Sequence, residues 1–359
     1  MLDSLELKNF KCFQQQKIAF RPLTLLTGVN SAGKSTTIQA LLLLQQTFTE
    51  HRKTPEAQLS GELVNLGLPE DVLNSNAEDD AFSLEAAQDG TSFLLRATVD
   101  GKKLRTEPMT APACAFANFR YLNAERLCPR TVFPVPTETQ RSCNAIGNQG
   151  EFAAYHLHVS GQMKIAYADA GKPNLLAPDA AGDSATLQMQ TEAWLSLLGA
   201  PVRLQTDRPT GTDSIVLRFS FPDISNTYYR PTNVGFGLTY ALPVFVAALG
   251  APAGSLLIVE NPEAHLHPKG QALMGRFLAR AAACGIQIIM ETHSDHVLNG
   301  VRVAVKQGDI AHDAVQINFF HQRDGISRLS APRIDRDGHI DQWPDDFFDE
   351  WDKQLSELL

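Results

Sequence analysis

The sequence predicts an α/β protein with a mainly parallel sheet that is covered by helices. Near the N-terminus, the apolar run Leu23–Gly28 ends in a glycine-rich turn and leads into good helix formers at Ser35–Phe48. From Ser255 onward, short apolar strands alternate with helical patterns, which is typical of parallel sheets. The 359 residues, of which 43% are hydrophobic, can bury a substantial core in one large domain or two.

The elements before residue 250 follow from simpler patterns. Residues 2–20 alternate apolar and polar side chains, which predicts two short strands. Residues 82–106 contain two such runs with turn signals such as DG, so we expect hairpins there. Residues 151–159 and 186–199 have helical spacing, and residues 231–249 predict a turn followed by a buried helix. A heptad run is missing, so we expect no coiled-coil arm.

The last third of the chain alternates strands and helices most regularly. Two of its strands are mostly apolar until they reach a glutamate, which is typical of strands buried on both faces. The predicted elements are a strand at 255–260, a helix at 268–284, a strand at 286–294, a helix at 297–308, a strand at 314–320, and an aromatic, acidic helix at 343–359 that docks on the body.

The charge balance limits the possible partners. The net charge is -9 and the sequence pI is about 5.6, whereas a protein that binds DNA over its whole surface is usually basic. Nucleic acid would therefore be bound through a local patch, a dimer groove or a partner subunit. An acidic cytosolic enzyme without any nucleic-acid role is the alternative.

Cysteine usage and hydropathy indicate a cytoplasmic protein. Five scattered cysteines without CxxC spacing favour neither a disulfide framework nor a zinc site. The N-terminus has no apolar signal region. Residues Val234–Val259 carry no charge and are long enough to cross a bilayer, but glycines and prolines interrupt them, so we interpret them as a buried helix, a turn and a buried strand. The cysteines are Cys12, Cys114, Cys128, Cys143 and Cys284.

A phosphate-binding loop is predicted between the strand and the helix near the N-terminus. Residues Gly28–Ser35 match GxxxxGK[ST] without a gap, and such loops bind ATP or GTP. The glycines let successive N–H groups point at phosphate oxygens, and the helix N-terminus adds further donors. Lys34 is expected to bridge the β- and γ-phosphates and Ser35 to bind Mg²⁺; a degenerate loop without nucleotide is the alternative. The residues expected to contact nucleotide here are Gly28, Asn30, Ser31, Ala32, Gly33, Lys34, Ser35 and Thr36.

A second cluster of candidate residues follows the strand at 255–260. Glu260 ends four apolar residues, the form of a Walker B strand, and is expected to hold the water shell of the Mg²⁺ at Ser35. Asn261 and Glu263 come next, and then His265 and His267. These two histidines beside a glutamate would suit a metal cluster, but they lack the HExxH spacing, so positions facing solvent or a dimer partner are the other interpretation.

His293 follows the next buried strand, directly after Glu291 and Thr292. A histidine at such a strand tip can reach the γ-phosphate and polarise the attacking water. A lone histidine is often structural, but its position after a phosphate loop and a Walker B strand makes His293 a candidate sensor of the γ-phosphate.

Together these segments resemble the ABC-type ATPase heads of the SMC, RecF and OLD families. The resemblance is carried by residues 7–13, 28–35, 256–268 and 291–296. Within that class the chain is similar to bacterial AAA-type ATPases with a C-terminal domain of unknown function, whose hallmarks correspond to YLNAERLCPR, NVGFGLTYALPV and WPDDFFDEW.

The resemblance implies a P-loop NTPase fold organised as one head over residues 1–359. Such a head has a mainly parallel sheet, an antiparallel β part and a helical signature lobe. The implied parts are an N-terminal lobe with the P-loop at 1–110, the helical signature lobe at 111–250, the Walker B and switch-histidine strands at 251–310, and a C-terminal tail region at 311–359.

The resemblance also implies a homodimer in which the signature segment of one copy caps the ATP of the other. Here that segment is residues 233–237, where Asn233 and Gly235 are the candidate contacts; the alternative is that its glycines only permit close helix packing. Lys11 takes the place of a basic residue that touches nucleotide in the family. Arg126 is either a phosphate or coupling contact or an arginine paired with a nearby acid.

One departure from the family affects catalysis. ABC heads usually carry Asp-Glu at the strand tip, whereas this chain carries Glu260-Asn261. An amide cannot take a proton, so either Glu263 or His293 supports the water, or hydrolysis is slow, which suits a switch.

We therefore expect a cytoplasmic ATPase that dimerises around Mg-ATP and controls a partner in DNA maintenance or anti-phage defence. The sequence contains no recognisable nuclease segment, so an effector or nuclease would be a separate subunit. A scaffold with negligible hydrolysis and the ATPase motor of another complex are the alternatives. A transporter motor or a GTPase is disfavoured because LSGGQ-type and NKxD-type motifs are missing.

Overall fold

The computed structural model describes residues 1–50, 57–101, 103–107, 116, 118–167, 173–178, 185–323 and 325–358. Cys114 and the predicted lobe boundary at 110–111 lie outside these residues. The chain divides into two compact units. Unit 1 comprises Met1–Ala117, Val315–Asp335 and Ile340–Leu359, and unit 2 comprises Asn118–Ala314 and Arg336–His339.

Strands and helices alternate along much of the described chain. The strands are β1 (Leu2–Phe10), β2 (Phe13–Ala19), β3 (Leu23–Gly28), β4 (Ala81–Gln88), β5 (Thr91–Asp100), β6 (Lys103–Thr106), β7 (Arg120–Leu122), β8 (Val132–Pro134), β9 (Arg203–Asp207), β10 (Ser214–Phe221), β11 (Ser225–Tyr229), β12 (Leu256–Glu260), β13 (Gln287–Glu291), β14 (Val315–Arg323) and β15 (Ile326–Ser330). The helices are α1 (Lys34–Glu50), α2 (Pro69–Val72), α3 (Glu138–Cys143), α4 (Ala153–Ser160), α5 (Leu187–Ser196), α6 (Phe236–Leu249), α7 (Pro268–Ala283), α8 (Asp295–Lys306) and α9 (Glu350–Leu358).

Unit 1 contains an antiparallel sheet in the order β2-β1-β4-β5-β6. In the same unit β3 runs parallel to β14, which pairs antiparallel with β15. The leucines of β3 and residues 41–44 in the middle of α1 are apolar and buried, so burial of this face orients the helix that follows the glycine-rich turn. The hairpins predicted for residues 82–106 are confirmed by β4, β5 and β6.

Unit 2 contains three parallel strands in which β12 lies between β7 and β13. In this register Glu260 lies opposite Glu291, so the two predicted strand tips share one edge. Trp194 of α5, Phe245 of α6 and Phe277 of α7 pack with ring centroids 4.7–6.2 Å apart and form the aromatic centre of the core. The predicted helices at 151–159, 186–199, 268–284 and 297–308 are confirmed by α4, α5, α7 and α8.

The segment expected to form a helical lobe also contains strands that the sequence patterns did not predict. Strand β10 pairs with β8, β9 and β11, and its residues Ile215, Leu217 and Phe219 are fully buried. These three alternate with more exposed residues, which is the period of a half-buried strand. The uncharged stretch forms α6 and β12 as predicted, and among the described residues no helix is long and apolar enough to cross a membrane.

The prediction of one helix over residues 343–359 is wrong for its first part. Residues before Glu350 form turns, because Asp346 and Phe348 adopt positive φ angles of 65° and 53°. The segment is instead held by Phe347, which is fully buried and packs 5.2 Å from the ring of Phe319 on β14. The buried Phe347 therefore anchors the tail to β14, and the helix itself is restricted to α9.

Candidate functional site

The glycine-rich turn between β3 and α1 has the backbone of a phosphate loop. Gly28 and Gly33 adopt φ angles of 126° and 119°, which L side chains rarely adopt. A Cβ on Gly28 would lie 1.9 Å from the carbonyl oxygen of Phe320, and a Cβ on Gly33 would lie 2.2 Å from the ring of Phe13. Both glycines are thus required by conformation and by space.

Lys34 folds back over this loop. Its Nζ donates hydrogen bonds to the carbonyl oxygens of Gly28 and Val29, each at 2.8 Å, so the ammonium lies inside the curve of the loop. The first helical hydrogen bond of α1 is donated by the N–H of Thr37 to Gly33. The N–H groups before it point out of the helix N-terminus, where an anion is favoured.

The other predicted loop residues differ in exposure. Asn30, Ser31 and Ser35 are exposed, whereas Ala32 is buried and Thr36 is partly buried near the Cys12 thiol. Strand β14 braces the loop, because the Gln322 amide donates to the carbonyl oxygen of Ser31 at 3.1 Å.

Lys11 lies beside the phosphate loop helix. Its Nζ donates to Oε1 of Gln39 on α1 at 2.7 Å, and its own N–H donates to the carbonyl oxygen of Val72. The tight turn between β1 and β2, where Lys11 has a φ of 51°, also brings Phe13 against Gly33. The cation is therefore close to α1, and its contact with nucleotide stays a prediction.

In unit 2, Glu260 is held at the end of β12 by a residue that the sequence did not single out. The Tyr121 hydroxyl donates to its Oε1 at 2.7 Å, and the main-chain N–H of Ala124 also donates to the carboxylate. Burial raises the pKa of Glu260 above its usual value. Its carboxylate is thus oriented before any ligand binds.

Arg126 braces the turn that follows β12. Its guanidinium donates to the main-chain carbonyl oxygens of Glu260 at 2.5 Å and Asn261 at 3.0 Å. Asn261 has a φ of 44°, and its N–H donates to the carbonyl oxygen of Glu291. Burial lowers the pKa of Arg126 to about 10, and its Nε is buried without a hydrogen-bond partner. Supporting the backbone of this turn is a role that neither sequence interpretation of Arg126 included.

Glu263 and His293 are brought together in unit 2. The main-chain N–H of His293 donates to Oε1 of Glu263 at 2.9 Å, while Oε2 of Glu263 is buried without a hydrogen-bond partner. Burial raises the pKa of Glu263, so its carboxylate holds a proton more tightly than an exposed glutamate does. The His293 imidazole is 40% exposed, with Nε2 3.9 Å from Oε1 of Glu291. The Glu263 carboxylate, which has one oxygen without a hydrogen-bond partner, and the exposed His293 imidazole therefore both lie beside the end of β13.

Comparisons with known proteins agree with the fold and with the motifs. Residues 1–95 match the family model "AAA ATPase domain", and residues 205–299 match "AAA domain, putative AbiEii toxin, Type IV TA system". Residues 310–358 match "Protein of unknown function (DUF3696)". No curated protein matches the chain.

Two solved structures are similar over nearly the whole chain. One is the Smc head bound to the C-terminal winged-helix domain of ScpA (TM-score 0.53, 13% identity), covering 93% of this chain and 98% of the other. The second is the Smc head with an extended coiled coil bound to the C-terminal domain of ScpA, derived from Pyrococcus furiosus (TM-score 0.51, 12% identity), covering 99% of each chain. The chain therefore has the fold of Smc heads, two segments that match AAA ATPase family models and a C-terminal segment that matches a family of unknown function. The predicted P-loop NTPase fold of the ABC-head type is thereby confirmed.

The predicted signature segment is exposed at the start of α6. Gly235 is the N-cap residue, and no atom lies within 4 Å of the position that its Cβ would take. Asn233 is also exposed. A Cβ on Gly237, in contrast, would lie 2.8 Å from the carbonyl oxygen of His265. Close packing therefore explains Gly237, while Asn233 and Gly235 stay candidates for a nucleotide contact.

His265 and His267 have local structural roles. The His265 ring packs 4.4 Å from the ring of Tyr240 and 5.6 Å from that of Phe236, both on α6. His267 caps α7, since its Nδ1 accepts the N–H of Lys269. Among the described residues, neither histidine belongs to a cluster of side chains with metal-ligand spacing. The first turn of α6 and the turn after β12 are thus packed together.

Proposed function

We propose that this chain is a slow ATPase that works as a switch. ATP and Mg²⁺ would bind at the phosphate loop, two copies would close around nucleotide, and the closed state would control a partner in DNA maintenance or anti-phage defence. The observation that carries the proposal is the phosphate loop itself, in which two glycines in forbidden conformations and the enclosed Lys34 ammonium form an anion cradle.

The residues of the phosphate loop suit a magnesium–triphosphate. Lys34 would exchange its carbonyl partners for phosphate oxygens, and the exposed Ser35 hydroxyl at the first turn of α1 would bind the metal. Bound Mg²⁺ neutralises phosphate charge and orients the leaving group. The Glu260 carboxylate, oriented by Tyr121 and raised in pKa by burial, is the candidate for the outer shell of that ion.

Hydrolysis is assigned to Glu263 and His293. Asn261 cannot accept a proton, but Glu263 has a raised pKa and an oxygen without a hydrogen-bond partner, which suits a general base. His293 would polarise the water or the γ-phosphate through its exposed imidazole. Because Glu263 lies two residues after Asn261, the usual position of the base, we expect slow turnover.

Dimerisation and partner control rest on two supporting observations. The N-terminus of α6 is exposed at Gly235 and offers donors to an anion from outside the chain. Smc heads of the same fold have been solved with parts of ScpA bound, which makes a protein partner reasonable here. A separate effector, nuclease or nucleic acid would be recruited by the closed state.

Titration with a fluorescent ATP analogue tests the proposal. Lys34→Ala is expected to abolish binding because the cation of the cradle is removed, while the matched control Lys17→Ala, at an exposed lysine of the same unit, binds normally. Thermal unfolding without nucleotide checks that Lys34→Ala is folded. Equal binding by folded Lys34→Ala and the native chain would refute the proposal.

A nucleotide-dependent scaffold with negligible hydrolysis is the second candidate, and Asn261 favours it. Steady-state phosphate release from the native chain, with Lys34→Ala as the blank, separates the two. Release above the blank supports the ATPase. Release equal to the blank, together with an additional association of copies that requires ATP, supports the scaffold.

A further inference from the structure

An open apolar groove lies between α7 and α8 in unit 2. Its volume is about 360 Å³, and its apolar lining comes from Leu197, Ala272, Leu273, Gly300 and Val303. Val303 is 44% exposed. An exposed apolar groove of this size is characteristic of a surface that binds another molecule.

The groove exists because the two helices approach each other at glycines. A Cβ on Gly300 would lie 2.0 Å from the carbonyl oxygen of Ala272, and a Cβ on Gly275 would lie 2.2 Å from that of Val297. The small side chains at this crossing leave a shallow trough along the outer surface of both helices. The shape of this trough suits a third helix. Larger apolar side chains of that helix would fill the space beside Gly300 and Ala272.

Basic residues border the groove. Lys269 is exposed at one end, and Arg276 lies along the wall with its Nε 2.9 Å from Asp309. Arg302 and Lys306 extend the positive charge along α8. An acidic helix is therefore the electrostatically favoured occupant.

Helix α9 has the complementary properties. Trp351, Leu355 and Leu358 follow the i, i+4, i+7 spacing of one helical face and are 69%, 38% and 82% exposed. The helix carries three acidic residues and one lysine. The Nζ of that lysine, Lys353, already lies 2.7 Å from Asp346 and 3.1 Å from Asp349. The helix thus exposes an apolar stripe on an acidic background.

We infer that α9 of a second copy of this chain docks into the α7–α8 groove. The apolar stripe fills the groove as anchors of a helix-in-groove contact, and the acidic residues face Lys269 and Arg276. Both the α7–α8 groove and the apolar stripe of α9 are exposed. In a dimer, the groove of each copy can therefore bind the α9 stripe of the other copy. Reciprocal exchange buries two identical contacts and closes a twofold dimer. This contact needs no nucleotide and does not use the phosphate loop.

Disulfide crosslinking between differently tagged copies tests the contact directly. A Val303→Cys copy is mixed with a Leu355→Cys copy without nucleotide, and the mixture is oxidised. In the matched control, the second copy carries Ser356→Cys instead of Leu355→Cys. Position 356 lies on the side of α9 that is turned away from the apolar stripe. The native chain, oxidised alone, reports any bond formed by its own cysteines. We expect a crosslinked heterodimer for Leu355→Cys and a much weaker one for Ser356→Cys.

The oligomeric state supplies the second measurement. Analytical ultracentrifugation should show a nucleotide-free dimer, and Leu355→Asp should raise its dissociation constant by about thirtyfold or more, because a charge replaces a buried anchor. Leu355 is at the surface, so the variant is expected to fold, which circular dichroism checks. Lys34→Ala should dimerise as the native chain does, so failure of ATP binding and failure of this contact are distinguishable.

Three results would overturn the inference. One is a nucleotide-free monomer at the concentrations used for crosslinking. Another is equal crosslinking by Leu355→Cys and Ser356→Cys. The third is a crosslinked monomer from a chain carrying both Val303→Cys and Leu355→Cys, which would mean that the groove holds the helix of its own chain.

Discussion

Removal of Arg126 should weaken both the fold and the turn that carries Glu263, the proposed base. Its guanidinium makes two hydrogen bonds to the carbonyl oxygens of Glu260 and Asn261, and each hydrogen bond from a charged donor contributes about 1.5–3 kcal/mol. The buried Nε without a partner offsets part of this contribution. Arg126→Ala also leaves both carbonyl oxygens unpaired, so we expect a loss of about 3–5 kcal/mol in the free energy of unfolding.

The effect on chemistry should be local to unit 2. Because the turn after β12 carries Glu263, loosening it should lower the rate of phosphate release, while the affinity for ATP at the phosphate loop changes little. Urea unfolding, phosphate release and ATP titration measure the three quantities. Arg130→Ala is the matched control, since Arg130 is an exposed arginine of the same segment. The reasoning is refuted if Arg126→Ala loses less than about 1 kcal/mol of stability or hydrolyses ATP as fast as Arg130→Ala.

Three further predictions concern single side chains. Gly33→Ala should raise the free energy of ATP binding by at least as much as it lowers the free energy of unfolding, because its Cβ displaces the Phe13 ring from the phosphate loop. A titration that shows normal ATP affinity would contradict this. Glu263→Gln should lower phosphate release by about 10²–10⁴-fold, because the amide keeps the acceptor for His293 but takes no proton. In a chain that also carries Leu355→Asp, so that the α9 contact is removed, it should accumulate ATP-bound dimers in gel filtration. Burial raises the pKa of Glu263 above 4.5, so native turnover should fall as the pH decreases through that raised pKa. The free energy of unfolding should show the opposite dependence and fall as the pH increases through the same pKa. This decrease in the free energy of unfolding should be smaller in Glu263→Gln. Phe347→Ala should cost about 3–5 kcal/mol of stability by thermal or urea unfolding and Phe348→Ala clearly less, and equal losses would contradict docking through Phe347.

The local structure of the loop between β3 and α1 could be predicted because its residues are contiguous. Its strand, turn and helix are encoded within residues 23–50, and the two glycines have positive φ angles as the motif requires. The tips of β12 and β13 were predictable for a similar reason, since a buried apolar strand that ends in an acid is a local pattern. Convergence of the phosphate loop with these tips stays a prediction.

The sequence patterns could not predict contacts between distant segments of the chain. The partners of Arg126 are main-chain atoms more than a hundred residues away, and carbonyl oxygens leave no residue-type signal. Tyr121 lies in a short strand of three residues, too brief for a periodic pattern. The sequence predicts a helix for the early part of the tail, because no glycine marks the positive φ angles at Asp346 and Phe348.

Convergence of the four predicted side chains on one nucleotide can be observed in a structure of Glu263→Gln with ATP and Mg²⁺. We expect one magnesium–triphosphate contacted by Lys34 and Ser35, with Glu260 in the outer shell of the ion and His293 facing the γ-phosphate. Nucleotide bound at the phosphate loop with Glu260 and His293 on a different face of the molecule would contradict it.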